Sequence, residues 1–210
     1  MSLYIALALG AVYGAAFCYR DRGLAGLLIK TGSTALLALY AFLEGGPLLL
    51  VAALAFSALG DAFLAGKPER WLLPGMGAFF VAHAAYVPLF WSLGADERTL
   101  AVLAAQIVLV FGGAAFIRWL MPWIERGMRL PVIAYGAVIL MMGAAALALP
   151  EAYRIVSLGA LMFIASDVIL SLQLFRKPAD EPASVPSSLA VWILYFGGQA
   201  LIAWGFLNAA

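Results

Sequence analysis

The chain has 210 residues, of which 66% are hydrophobic and 11% charged, with a mean hydropathy of +1.03 and a formal net charge of +1. Soluble domains are about one quarter charged, so this composition excludes a water-facing globule and leaves lipid as the solvent. The near-neutral charge excludes a nucleic-acid footprint, which is basic. The single cysteine, Cys18, excludes an intramolecular disulfide and a Cys-based zinc site, and the single histidine, His83, excludes a metal site built on two or more imidazoles.

A helix crossing the hydrocarbon core needs about 20 mainly apolar residues. Eight stretches fit: 3–19, 24–43, 47–65, 72–93, 99–121, 130–149, 153–175 and 189–208. The first has no basic residues ahead of it and no small-residue cleavage site behind it, so it reads as a retained span and not a signal peptide. The breaks carry charge, Gly or Pro: Arg20-Asp21-Arg22-Gly23, Glu44-Gly45-Gly46-Pro47, Gly66 to Arg70, Asp96-Glu97-Arg98, Pro122 to Arg129, Pro150-Glu151, and Arg176 to Ser188. Lipid forces backbone groups to bond internally, and these long uniform runs lack the alternation of barrel strands. The expected fold is therefore all-α, a polytopic bundle of about eight transmembrane helices forming a single transmembrane domain, 1–210.

The loops after helices one, three, five and seven hold Arg20, Arg22, Lys67, Arg70, Arg118, Arg126, Arg129, Arg176 and Lys177, nine of the twelve basic residues. Arg98 and Arg154 fall on the other side, and Lys30 lies within helix two. The positive-inside bias places the odd loops in the cytoplasm and both termini outside, in the inner membrane if the source is bacterial.

Two stretches put a carboxylate into lipid-compatible sequence: Phe56 to Leu64 around Asp61, and Phe163 to Leu170 around Ser166-Asp167. Ionisable groups in membrane spans are costly and are functional candidates by default. In the same cytoplasmic half lie Lys30 in helix two, His83 and Tyr86 on one face of helix four, Tyr135 in helix six, and Tyr195 and Gln199 at i, i+4 in helix eight. Six helices thus offer polar groups at one depth, and helices one and five offer little beyond Gln106. Bland alternatives stand beside each. Asp61 could pair with Lys67 or Arg70 at the membrane rim, and Ser57, one turn before it, could hold its carboxylate. Asp167 has no basic residue within a turn and must find a partner on another helix, stay protonated or line a wet cavity. Lys30 could snorkel or neutralise a lipid phosphate or an aspartate. His83 could bond across helices, and the tyrosines could be interfacial. Offsets of 105 between Lys30 and Tyr135, 106 between Asp61 and Asp167, and 116 between His83 and Gln199 would fit a 4+4 parallel internal repeat of the kind transporters carry.

With these positions assembled, the sequence resembles the YhhN family of membrane lysoplasmalogenases across nearly the whole chain. The resemblance rests on Lys30, Phe56-Ser57 through Gly60-Asp61 and Leu64, His83 with Tyr86, Leu130-Pro131 with Tyr135, Gly159 to Ser166-Asp167, and Tyr195 with Gln199. Thr31 departs from it, standing where bacterial relatives often have proline. The resemblance implies hydrolysis of the 1-alkenyl ether bond of a lysophospholipid-type substrate to a fatty aldehyde and a glycerophospho head group, with membrane lipid as the surroundings. No cofactor, metal or obligate protein partner is called for. Asp61 and Asp167 would be the catalytic pair, as two carboxyls serve glycosidases. Asp167, expected deeper and drier, would be the acid, and Asp61, expected nearer water, the carboxylate. Lys30, Ser57, His83, Tyr86, Tyr135, Ser166, Tyr195 and Gln199 would bind or orient substrate. The competing reading is a proton-coupled transporter or lipid carrier using the same two aspartates. A ceramidase-like zinc amidase is opposed by the lone histidine, and a purely structural bundle by the cost of Asp167.

Overall fold

The computed structural model describes residues 1–19, 23–65, 68–94, 99–177 and 184–209. Arg20, Arg22, Lys67 and Arg98, and stretch 178–183 of the last connection, lie outside the described residues. Among those described there is no strand, and the order is α1 (Ser2–Ala16), α2 (Gly23–Leu43), α3 (Leu48–Leu64), α4 (Pro68–Trp91), α5 (Leu100–Leu120), a 3-10 turn (Met121–Trp123), α6 (Arg126–Leu147), a second 3-10 turn (Glu151–Tyr153), α7 (Arg154–Phe175) and α8 (Val185–Leu207). The protein is an all-α, multi-pass membrane bundle.

Each apolar run became one helix, but α4, α6 and α8 each begin four residues before the run predicted from hydropathy. The first turn of a helix can sit among head groups, where charged side chains are solvated, so polar residues extend a span that hydropathy truncates. Capping sets some of these starts. Thr99 Oγ1 accepts from the Val102 N–H and Ser184 Oγ from the Ser187 N–H, each at 3.3 Å, and Pro186 occupies the first turn of α8, where its missing N–H is harmless. Among the described residues six helices are long and apolar enough to cross a bilayer, while α1 with 15 residues and α3 with 17 are shorter.

Six helices close a ring in the order α2, α3, α4, α6, α7, α8, and α8 returns to α2. Outside it, α1 packs on α2 and α8, and α5 packs on α6. Some pairings recur between α1–α4 and α5–α8, namely α1 on α2 as α5 on α6, α3 on α4 as α7 on α8, and α8 on α2 as α4 on α6. The packing of α1 on α8 has no counterpart of that extent between α5 and α4, so the expected internal repeat is not established. Aromatic rings fill the middle. Phe163 meets Phe79, His83 and Tyr195 edge-on at 6.1, 4.7 and 5.2 Å between centroids. The α7–α8 seam is closest at Gly159 and Gly198, where a Cβ on either would come within 2.7 Å of the other's carbonyl oxygen. Glycine here permits backbone contact, which replaces the hydrophobic drive that lipid does not supply between helices.

Candidate functional site

Ring closure turns one face of each of the six helices inward, and the polar residues on those faces form two clusters. In the first, Lys30 Nζ lies 2.8 Å from Asp61 Oδ1 as an ion pair, with 8% of Lys30 and none of Asp61 exposed. Oδ2 accepts from Thr34 Oγ1 at 2.8 Å and from the Tyr195 hydroxyl at 2.6 Å. Two helices besides α3, α2 and α8, therefore hold this carboxylate, and Oδ1 takes no hydrogen bond beyond the ion pair among the described residues. One turn along the bundle, Tyr86 donates to Gln199 Oε1 at 2.6 Å, Gln199 Nε2 donates to Ser57 Oγ at 2.8 Å, and Ser57 donates to its own helix at Ala53 O at 2.8 Å. That chain is fully buried and every hydroxyl and amide in it is used, as low dielectric requires.

The second cluster surrounds Asp167. The Tyr135 hydroxyl donates to Asp167 Oδ2 at 2.5 Å, and His83 Nε2 is 3.2 Å from the same hydroxyl. Tyr135 has one proton and spends it on Asp167, so its oxygen accepts from the His83 Nε2–H. His83 Nδ1 is then left buried and without a hydrogen-bond partner among the described residues. No cation pairs with Asp167 among the described residues. The neighbouring Ser166 hydroxyl donates across to Val191 O on α8 at 3.1 Å.

Both clusters border one cavity of about 910 Å³, at the end of the bundle that carries Arg118, Arg126 and Arg176. Lys30, Asp61, Tyr135, Ser166, Asp167 and Tyr195 reach its wall, and the remainder is mostly apolar surface from α4 to α7. Ser57, His83, Tyr86 and Gln199 are not on that wall and stand one layer behind. Among the described residues no three His, Cys, Asp or Glu side chains converge as metal ligands.

The family is now decided by comparison. The model of the YhhN family matches residues 25–206. This chain belongs to the YhhN family. It is 30% identical over 154 residues to a Homo sapiens protein named lysoplasmalogenase TMEM86B and 32% identical over 159 residues to a Bos taurus protein named lysoplasmalogenase TMEM86A. These matches cover 73% and 71% of the chain and 61% of each relative, so the chain spans about three fifths of the length of the curated relatives it matches. No solved structure matches it.

Several expectations about the site need correction. Asp61 is not a rim residue: it points into the ring and pairs with Lys30, while Arg70 is exposed and lies 5.0 Å from the Trp71 ring. Ser57 does not hold Asp61, because its hydroxyl bonds back to its own helix at Ala53, a competition typical of serine in helices. Nor is Asp167 the drier of the two. Asp61 is fully buried and Asp167 half-buried, since distance from the membrane surface is not burial when a cavity opens beside the deeper group. Thr34 was missed, although it sits four residues after Lys30 and so on the same face of α2.

Proposed function

We propose that the cavity hydrolyses the 1-alkenyl ether bond of a single-chain glycerophospholipid, yielding a fatty aldehyde and a glycerophospho alcohol. The observation that carries the reading is the pairing of two unlike carboxyls on one apolar cavity, one saturated by a cation and hydroxyls, the other bonded to a single hydroxyl. The names of the two mammalian relatives support the same chemistry. Asp167, with no cation beside it, carries the proton. It transfers that proton to the β-carbon of the enol ether, whose π pair forms the new C–H bond and leaves an oxocarbenium ion. Water adds to the cationic carbon and returns a proton to the Asp167 carboxylate. The hemiacetal then breaks its C–O bond, its hydroxyl proton passing to the departing alcohol oxygen. One group acting first as acid and then as base is the pattern of retaining glycosidases.

Tyr135 holds Asp167 Oδ2 and leaves Oδ1 for the substrate, while His83 fixes Tyr135 by occupying its lone pair. Asp61 stays a carboxylate because Lys30, Thr34 and Tyr195 surround it, and its charge favours the oxocarbenium ion in a low-dielectric wall. Lys30, on the cavity wall, faces the phosphate. Ser57, Tyr86 and Gln199 set the spacing of α3, α4 and α8 without touching substrate. The chain works as one transmembrane unit, with the basic end and the cavity mouth in the cytoplasm and both termini on the opposite side.

The test is aldehyde release from a lysoplasmalogen by detergent-purified protein, with Asp167→Asn beside it. Release that the variant abolishes is the expected result. Folded protein that releases no aldehyde, yet moves the intact lipid across a vesicle membrane, would replace the hydrolase with a carrier.

A further inference from the structure

Of all the cavity walls, α5 is the one least bound to the bundle. Its extended packing is on α6, its one buried residue is Leu120 at the C-terminal end, and Ile107 and Phe111 are exposed on its outer face. Yet Leu109, Gly112 and Phe116 line the cavity together with Ile164, Asp167 and Val168 of α7. The two helices converge at two levels. In mid-membrane, Leu109 and Ile164 crowd over Gly143 of α6, where a Cβ would come within 2.8 and 2.5 Å of their methyl carbons. At the basic end, the Arg176 guanidinium lies 4.7 Å from the Trp119 ring and 4.2 Å from the Trp123 ring, and Leu172 and Phe175 pack on the small core of Leu120, Ile124 and Val132. Between these levels stands Gly112, where a Cβ would meet nothing within 4 Å, while its neighbour Gly113 faces Leu140.

We propose that α5 and α7 frame a lateral portal at Gly112, through which the hydrocarbon tail of a single-chain lipid passes from the bilayer into the cavity. The proposal rests on the reading of the cavity as a lipid site and adds the route of the lipid into it. An amphiphile already in the leaflet keeps its tail among apolar groups throughout this route, whereas entry from water would expose every methylene at about 0.8 kcal/mol each. Glycine at the frame leaves open the space that a side chain would take.

The experiment is photolabelling of the full chain in phosphatidylcholine nanodiscs. The probe is a lysophosphatidylcholine with a mid-chain diazirine, used with and without excess unlabelled lysophosphatidylcholine. It has no alkenyl ether, so labelling needs no turnover. The expected label that competes away maps to residues 108–117 and 164–171. It falls roughly tenfold, the equivalent of about 1.4 kcal/mol, in Gly112→Phe, and is unchanged in Gly77→Phe, where the added ring also enters open space. Competable label confined to α1, α2 or α8, or none anywhere, would overturn the portal, and the map on the unaltered protein decides this even if Gly112→Phe fails to fold. Portal labelling in protein that releases no aldehyde would overturn the hydrolase and leave the portal standing. Aldehyde release with label elsewhere would do the reverse.

Discussion

Asp61 on α3 and Asp167 on α7 occupy matching places in the two halves of the ring, each met by a group from the preceding helix, Lys30 from α2 and Tyr135 from α6. What differs is the charge of that group and the space beside it. Lys30, Thr34 and Tyr195 all converge on Asp61, which has no exposed surface, whereas Asp167 takes one hydroxyl and is only half-buried on the same cavity. A buried carboxylate with its counter-ion is part of how the bundle is built. A half-buried one held by a single hydroxyl is the one we propose for the chemistry. Two aspartates equally conspicuous in a hydropathy profile therefore have different liabilities.

The largest effect should separate them. Asp167→Asn removes the proton donor but no charge partner, so turnover should fall by about 10²–10⁴-fold, the usual contribution of general acid–base catalysis. Its unfolding midpoint should stay close to that of the unaltered protein, measured by thermal unfolding in detergent. Asp61→Asn should behave oppositely and first cost stability. It breaks a buried ion pair from one side, which typically costs about 3–5 kcal/mol. Replacing both partners, with Lys30→Met added, should recover part of that loss. If Asp61→Asn alone unfolds no earlier than the unaltered protein, the contrast between the two sites is wrong.

The tyrosines sharpen the same contrast at smaller scale. Tyr195→Phe removes one of two hydroxyl donors from a carboxylate that keeps its lysine, and Tyr135→Phe removes the single donor on Asp167 and the acceptor of His83. Each deletes a hydrogen bond to a charged or polar partner worth about 1.5–3 kcal/mol. The expected split is that Tyr135→Phe lowers kcat with little change in unfolding temperature, while Tyr195→Phe lowers the unfolding temperature more than kcat. Equal effects on kcat would argue that both carboxyls contact the reacting atoms. The smallest effect should come from a chelator. With one histidine, bonded to Tyr135, and no three-ligand cluster among the described residues, turnover should be unaffected by chelation. Loss of aldehyde release that zinc or magnesium restores would contradict this.

Much of this arrangement was legible in the sequence, for physical reasons. Spans announce themselves because lipid tolerates only internally bonded helices, and polar residues within them stand out because each is costly there. Hence Lys30, Asp61, Tyr135, Asp167 and Tyr195 could be picked out without coordinates. Pairings could not, because they depend on which helix closes against which. Nothing in the spacing of Lys30 and Asp61 distinguishes an intramembrane ion pair from a snorkelling lysine beside a rim aspartate. The i, i+4 rule placed Ser57 correctly on the face of Asp61 but could not tell that its hydroxyl would turn to Ala53. The layering was also hidden. Gln199 and Tyr195 share a face of α8, and only the tyrosine reaches the cavity wall.

The shortness of α3 has a consequence for the membrane itself. Seventeen residues extend about 25 Å at 1.5 Å per residue, against a hydrocarbon core of about 30 Å. On the flank where α3 meets lipid, this mismatch costs a fraction of a kcal/mol per ångström, and a thinner bilayer relieves it. The protein should be more stable in bilayers of shorter acyl chains than in long, sterol-stiffened ones, which makes bilayer thickness a variable that its host membrane can set.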